Sequence, residues 1–328
     1  MGVAKGKDIK VHMFIFDSSC SEDSAYPFIA ANTGGGYFPL AKSQAGAITT
    51  LVDKVARANH VSIIEVIKVD AMYAKEFKKR ADATYDIAVD SAMSAITFAL
   101  SGVGTNLSVA RPDNTVVGAA DSGVTLIDLG GRGILLSVNA PASGMWRVTV
   151  GGNLNASLSV TGLSSLHFSE FDVVEYRGRP NHEGWFPING SAAAGSIVNA
   201  IGLLEGGFSD VKYDLRDVAG KVISNFDLFP GSGDVGEPPK NAFFGTFTVP
   251  NRQAFVCITG KDAAGAPYQR CYPVPLLANG TAFPPSNSTN TTSSSILSSF
   301  TTAPSLFPNS TATSLGPTAI ISVTTTLM

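Results

Sequence analysis

Ile9-Lys10-Val11-His12-Met13-Phe14-Ile15-Phe16-Asp17-Ser18-Ser19-Cys20 lies at the opening of the chain, followed by Ala25-Tyr26-Pro27-Phe28-Ile29-Ala30-Ala31-Asn32-Thr33-Gly34-Gly35-Gly36-Tyr37-Phe38. A run of β-favouring apolar residues that stops at a Ser/Asp cluster reads as a buried strand. The spacing after it predicts a short helix, a glycine stop, a two-residue strand and a long amphipathic helix over 42–58. That is one and a half strand-helix units, with helices on the faces of a parallel sheet. A parallel strand is not stable without neighbours, and residues 1–8 are too few to supply any. The expectation is a truncated α/β unit over 1–60, whose open sheet edges favour poor solubility or pairing with another chain.

Downstream the pattern changes. Val61-Ser62-Ile63-Ile64-Glu65-Val66-Ile67-Lys68-Val69 reads as a strand entering a second unit. Short runs at 84–89, 95–101, 106–110, 123–128, 133–138, 146–150 and 156–161 follow at the spacing of an antiparallel sandwich over 61–168. Arg111-Pro112-Asp113-Asn114 carries turn chemistry, and Gly130-Gly131-Arg132-Gly133, lying between two runs, reads as a hairpin turn rather than a phosphate cradle. A third unit, 169–276, has runs at 197–204, 211–215, 221–224, 242–249, 254–259 and 269–274, with a long loop at Phe229-Pro230-Gly231-Ser232-Gly233-Asp234. It reads as an immunoglobulin-like sandwich. From Cys271 to Met328 the chain has no Asp, Glu, Lys or Arg and is dominated by Ser, Thr and Pro. Such a segment cannot bury a core, so 277–328 reads as a disordered stalk open to O-glycosylation. The fold class is therefore mostly β: a truncated α/β segment, two β-sandwich domains and a disordered Ser/Thr-rich tail.

The 328 residues carry a net charge of −3, and charged residues make up 15% of them, against about 25% in an average globular domain. No basic surface is forced, which argues against nucleic acid as a partner. No apolar run is long enough to span a bilayer, and Ala319-Ile320-Ile321-Ser322-Val323 is too short and polar for a lipid-anchor signal. Residues 1–10 hold lysines but no apolar leader core, so nothing in them directs export.

Three cysteines are too few for a disulfide scaffold. Two of them flank the turn-rich Gly260-Lys261-Asp262-Ala263-Ala264-Gly265-Ala266, and a hairpin centred near Ala264 places Cys257 opposite Cys271. Two readings stand side by side: a cross-strand disulfide in an oxidising compartment, or two buried thiols. Trp146 reads as a core anchor, with a sugar-stacking platform as the alternative. Asn-x-Ser/Thr sequons at Asn106, Asn155, Asn189, Asn279, Asn287, Asn290 and Asn309 fall in turns, strand edges and the tail, where glycosylation requires them. His12, His60, His167 and His182 are scattered without metal spacing. Asp86, Asp90, Asp121 and Asp128 are candidate calcium ligands in a β-domain, with solvated strand ends as the plainer reading. No nucleophile elbow, phosphate loop or His-Glu-x-x-His is present.

The opening segment also carries a resemblance. Its strand, polar Cys-containing turn, Tyr-x-x-Ile-Ala-x-x-Thr-Gly-Gly helix end and aromatic strand resemble the closing part of von Willebrand factor A domains, above all those of hemicentin-type matrix proteins. Gly144-Met145-Trp146-Arg147-Val148-Thr149-Val150 and Leu158-Ser159-Val160-Thr161-Gly162-Leu163-Ser164-Ser165-Leu166-His167-Phe168 are similar to the galactose-binding-like domain that follows there. The resemblance runs over roughly 8–275, and in outline only after 195. It implies that Cys20 is unpaired here, its usual partner lying upstream. Asp17-Ser18-Ser19-Cys20-Ser21 matches Asp-x-Ser-x-Ser, the first piece of the A-domain metal site, which would make Asp17, Ser19 and Ser21 ligands of a divalent cation. The register opposes this, because a helix ending at Thr33-Gly34-Gly35 follows at once, as after the last A-domain strand. The expected site is therefore no metal and no cofactor, with a divalent cation only if an upstream A-domain part exists.

The function these residues imply is a non-catalytic extracellular matrix or cell-surface adhesion protein, a fragment that contacts an extracellular or cell-surface protein or glycan. The alternatives are a carbohydrate-binding module, which needs exposed aromatics on one sandwich face, and a metal-dependent hydrolase, which needs a carboxylate cluster.

Overall fold

The computed structural model describes residues 9–15, 26, 29–30, 33, 37–40, 42–49, 52, 60–66, 82–102, 104–152, 156–233, 238, 241–277 and 319–325. Most of them form strands, grouped as one small sheet and two antiparallel sandwiches.

Strands β1 (Ile9–Ile15) and β2 (Tyr37–Pro39) pair in parallel, with Met13 opposite Tyr37. Between them the chain is helical at Tyr26, Ile29 and Ala30. Thr33 ends that turn: its Oγ1 donates to the carbonyls of Ile29 and Ala30 at 2.9 and 3.1 Å and accepts the Val11 N–H at 3.1 Å. One hydroxyl thus satisfies helix-end carbonyls and ties the helix to β1. After β2 the expected α-helix starts as a 3-10 helix, Lys42–Ala47, and is helical again at 48–49 and 52. Gly46 in this stretch lowers its α-propensity; the expected remainder, 53–58, lies outside the described residues.

The first sandwich runs through β3 (His60–Val66), β4 (Ala83–Val89), β5 (Ala95–Ser101), β6 (Thr105–Ala110), β7 (Val124–Asp128), β8 (Gly133–Asn139), β9 (Gly144–Gly152) and β10 (Ser157–Leu163). A five-stranded sheet, in order β3-β10-β5-β8-β7, faces a three-stranded one, β4-β9-β6. Alternation in β5 sends Ile96, Phe98 and Leu100 inward to pack with Ile87, Trp146 and Val148. Trp146 is 1% exposed and its Nε1 donates to the Ala142 carbonyl at 2.8 Å. It is the core anchor, with its one polar atom satisfied, and not a sugar platform. Gly130 and Gly131 take φ of 70° and 73° in the β7–β8 hairpin, the left-handed pair that a tight hairpin turn requires.

The outward side of the larger sheet is also apolar. Leu129 and Leu135, with Ala99 and Ile127, form the floor on which Phe14, Phe38 and Leu40 pack, and the rings of Phe14 and Phe38 stack at 5.2 Å. The first sandwich therefore supplies the second layer that the small α/β unit needs.

The second sandwich comprises β11 (His167–Arg177), β12 (Gly184–Pro187), β13 (Ile197–Glu205), β14 (Phe208–Asp217), β15 (Val222–Phe226), β16 (Leu228–Pro230), β17 (Ala242–Thr248), β18 (Ala254–Asp262) and β19 (Pro267–Cys271). Its sheets run β12-β11-β13-β17-β16 and β15-β14-β18-β19. Without the extra edge strand β12 this is the strand order of immunoglobulin-type sandwiches. Phe168, Phe171, Tyr213, Phe247 and Tyr268 fill the core.

Two differences from the sequence reading have local causes. Strand β11 crosses the expected boundary at 168/169, because a bulge between Phe168 and Glu170 breaks the two-residue alternation by which a strand is recognised. Residues 229–230, expected in a loop, belong to β16, an edge strand of three residues whose Pro230 hides it from a pattern search.

The tail also departs from expectation. Strand β20 (Ala319–Thr325) runs antiparallel along the whole of β1, from Ile9 opposite Thr325 to Ile15 opposite Ala319. This segment was expected to be disordered and the β1 edge open. A β-branched run needs only a free edge to pair with, not a core of its own.

Candidate interaction surface

The two sandwiches meet through a buried polar joint. Strand β19, the edge of the smaller sheet of the second sandwich, lies beside β3 and β4. Arg270 is 1% exposed and Asp90 0%. The Arg270 guanidinium donates to Asp90 Oδ2 at 2.5 Å, to the Leu166 carbonyl at 2.9 Å and to the Gln269 carbonyl at 2.7 Å. Asp90 Oδ1 accepts the Ser164 hydroxyl at 3.0 Å and the Ala92 N–H at 3.1 Å. Beside this pair, Ser91 donates its N–H and hydroxyl to Asp262 Oδ2 at 2.8 and 2.6 Å. Gln269 Nε2 donates to the Ile63 carbonyl at 3.0 Å. Burial lowers the Arg270 pKa from its ordinary value, and the Asp90 carboxylate opposes that shift. Burial disfavours the Asp262 anion, but hydrogen bonds from Ser91, Ala266 and Ala264 outweigh it and hold this carboxyl below the usual range. A buried ion pair is tolerated only when both charges are matched and hydrogen-bonded, as here.

One strand further in, Cys257 and Cys271 are direct register partners on β18 and β19 and are joined by a disulfide, S–S 2.01 Å. The turn between the strands is held by Asp262 Oδ1, which accepts the N–H groups of Ala264 and Ala266.

The opposite edge of the second sandwich is built differently. Asp172, Ile201, Phe244 and Phe229 form one row across β11, β13, β17 and β16. Phe229 is 67% exposed and Tyr176 55%. The Trp185 ring lies 4.4 Å from Phe244 and 5.3 Å from Tyr176, centroid to centroid. Beside this row runs an open groove of about 790 Å³, lined by Asp227, Phe229, Pro230, Pro238, Phe244 and Thr246 among others. Glu170 shares a face of β11 with Asp172, and burial together with the Asp172 carboxylate pushes its pKa up to about 7.

The residues singled out in the sequence are not gathered into one site. Asp17, Ser19, Cys20, Ser21, Asn155, Asn279, Asn287, Asn290 and Asn309 lie outside the described residues. Asn106 on β6 and Asn189 after β12 are exposed. Asp86 pairs with Arg147 at 3.2 Å, Asp121 with Arg111 at 2.5 Å, and Asp128 accepts the Gly131 N–H at 3.0 Å. Asp90, read as a calcium ligand or solvated strand end, is instead locked in the joint. His12 is buried on β1, His60 and His167 begin β3 and β11, and His182 is exposed before β12. Among the described residues no group of three or more His, Cys, Asp or Glu side chains is placed to hold a metal, and none of their helices is long and apolar enough to cross a membrane.

Sequence reasoning missed the aromatic row and the joint. Trp185 sits in Gly184-Trp185-Phe186-Pro187, too short a run to stand out, and Phe244 adjoins Phe243, which points to the opposite face. Arg270 between Gln269 and Cys271 was the available signal for the joint, a lone cation in a strand that pairs with a core strand.

Comparison with known proteins bears on the first sandwich most directly. Residues 68–165 match the family described as hemicentin galactose-binding domain-like. That stretch is similar to the galactose-binding-like domain of hemicentins. The chain is 20% identical over 274 residues to hemicentin-2 of Mus musculus, an alignment covering 79% of this chain and 5% of that protein. It is 21% identical over 268 residues to hemicentin-1 of Homo sapiens, covering 79% and 4%. The chain thus spans about one-twentieth of the length of the curated relatives it matches. Among solved structures, a Bacillus licheniformis lipase in its propeptide form aligns at 10% identity with a TM-score of 0.27, covering 70% of this chain and 46% of that one. That score is too low to bear on fold or function.

Proposed function

We propose that this hemicentin-like chain is a non-catalytic matrix or cell-surface adhesion segment. In this reading residues 1–60 are the end of a von Willebrand factor A-like domain, 61–168 a galactose-binding-like sandwich and 169–276 an immunoglobulin-like sandwich. The observation that carries it is the joint: the matched domain contributes Asp90 and Ser91 to a buried hydrogen-bond network with Arg270 and Asp262 of its neighbour. The two sandwiches form one paired unit, as suits a segment that presents surfaces to a partner. The Cys257–Cys271 disulfide suits an oxidising compartment, and exposed sequons at Asn106 and Asn189 suit a glycosylated exterior. No metal or cofactor is assigned to this segment. Asp86 and Asp121 act as partners of Arg147 and Arg111.

The test is the intact mass of the native protein from culture medium and from cell lysate, before and after enzymatic removal of N-glycans, together with its partition into a detergent-insoluble matrix fraction. The expected result is a secreted, glycosylated species that stays with the matrix. An unmodified species confined to the cell lysate would sink the reading.

A further inference from the structure

We propose that the groove beside β16 and β17 binds a neutral glycan, with a pyranose ring stacked on Phe229 and its hydroxyls bonded to Asp227 and Thr246. This deepens the adhesion reading, on which it rests, by naming the chemistry of one partner. A pyranose presents an apolar C–H face and a rim of hydroxyls, and the negative face of an exposed aromatic ring attracts the former. Phe229 offers such a ring at 67% exposure, and its register partner Phe244 extends the apolar floor. The groove, at about 790 Å³, falls within the roughly 300–1,000 Å³ of small-ligand sites.

The lining narrows the ligand further. Asp227 is the sole charged side chain among the described lining residues, so sulfated or sialylated sugars meet repulsion while a neutral sugar donates hydroxyl hydrogens to it. A peptide adding as a strand along β16 is disfavoured. Pro230 has no N–H to give, and the Gly231 N–H already donates to the Ala242 carbonyl at 2.7 Å. Trp185 and Tyr176 continue the ring surface beyond Phe244, leaving room for further sugar residues.

The experiment is a printed array of neutral, sulfated and sialylated oligosaccharides probed with the full chain, followed by titration of the best-bound neutral oligosaccharide against Phe229→Ala and Asp227→Asn. The expected outcome is selective retention by neutral glycans, about tenfold weaker for Phe229→Ala and weaker for Asp227→Asn, with both variants melting as the parent does. Equal binding by Phe229→Ala, or preference for the anionic sugars, overturns the assignment. No neutral glycan bound by a chain that still deposits in matrix overturns this site and spares the adhesion reading. A chain that does neither removes both.

Discussion

Two of the four edge strands of the second sandwich, β19 and β16, face the same hazard and meet it in opposite ways. An unpaired edge offers free N–H and C=O groups to any passing strand. At β19 that edge is covered by the first sandwich, and the charged side chains there are buried and bonded. At β16 the edge is left open but blunted by Pro230, and Phe229 on it stands in solvent. Covering an edge fixes a neighbour, whereas blunting one leaves its face available for the glycan contact proposed above.

The contrast is broken most forcefully at the joint. Arg270→Ala leaves the Asp90 carboxylate buried without its partner and is expected to cost about 3–5 kcal/mol in denaturant unfolding. The paired replacement Asp90→Leu with Arg270→Met is expected to recover most of that loss. A single variant within experimental error of the parent would mean that the joint is solvated. Next in size is the disulfide. With its cysteines 14 positions apart in sequence, Cys257→Ser with Cys271→Ser is expected to lower stability by about 2–4 kcal/mol under non-reducing conditions.

A smaller effect depends on pH. The folded-state pKa of Glu170, near 7, lies above its ordinary value of 4.5, so the folded protein holds this proton more tightly than the unfolded chain. The associated stability is fully present below pH 4.5 and is lost as pH rises through 7. The melting temperature of the parent relative to Glu170→Gln is therefore expected to fall across that window. A flat difference would place Glu170 in free solvent. Smallest is Phe229→Ala, expected to change stability by no more than about 0.5 kcal/mol, since a ring so exposed contributes little to the core. A larger loss would make it a core residue and remove the contrast.

Legibility in the sequence follows the same division. In strands such as Ala95–Ser101 every second residue, Ile96, Phe98 and Leu100, is a large apolar one on the core face, so their limits could be read directly. The hairpin centre near Ala264 was legible because Asp262 and Gly265 carry specific turn chemistry; Gly265 takes φ of 81°. The joint was not legible, because Asp90 and Arg270 are 180 residues apart, and a lone cation in a strand signals burial without naming its partner. The aromatic row was equally hidden. Asp172, Ile201, Phe244 and Phe229 come from four strands and become neighbours only through register. The β20 pairing was missed because composition reports whether a segment can build its own core, not whether it can borrow an edge.

The disulfide between neighbouring strands has a mechanical consequence. If tension is applied along the chain, β18 and β19 cannot peel apart past Cys257 and Cys271. The residues between them stay out of the extending length, and the load passes directly through the sulfur bridge. The strand that carries Arg270 is therefore shielded on one side from unravelling, so under load the joint meets β19 still fixed to β18.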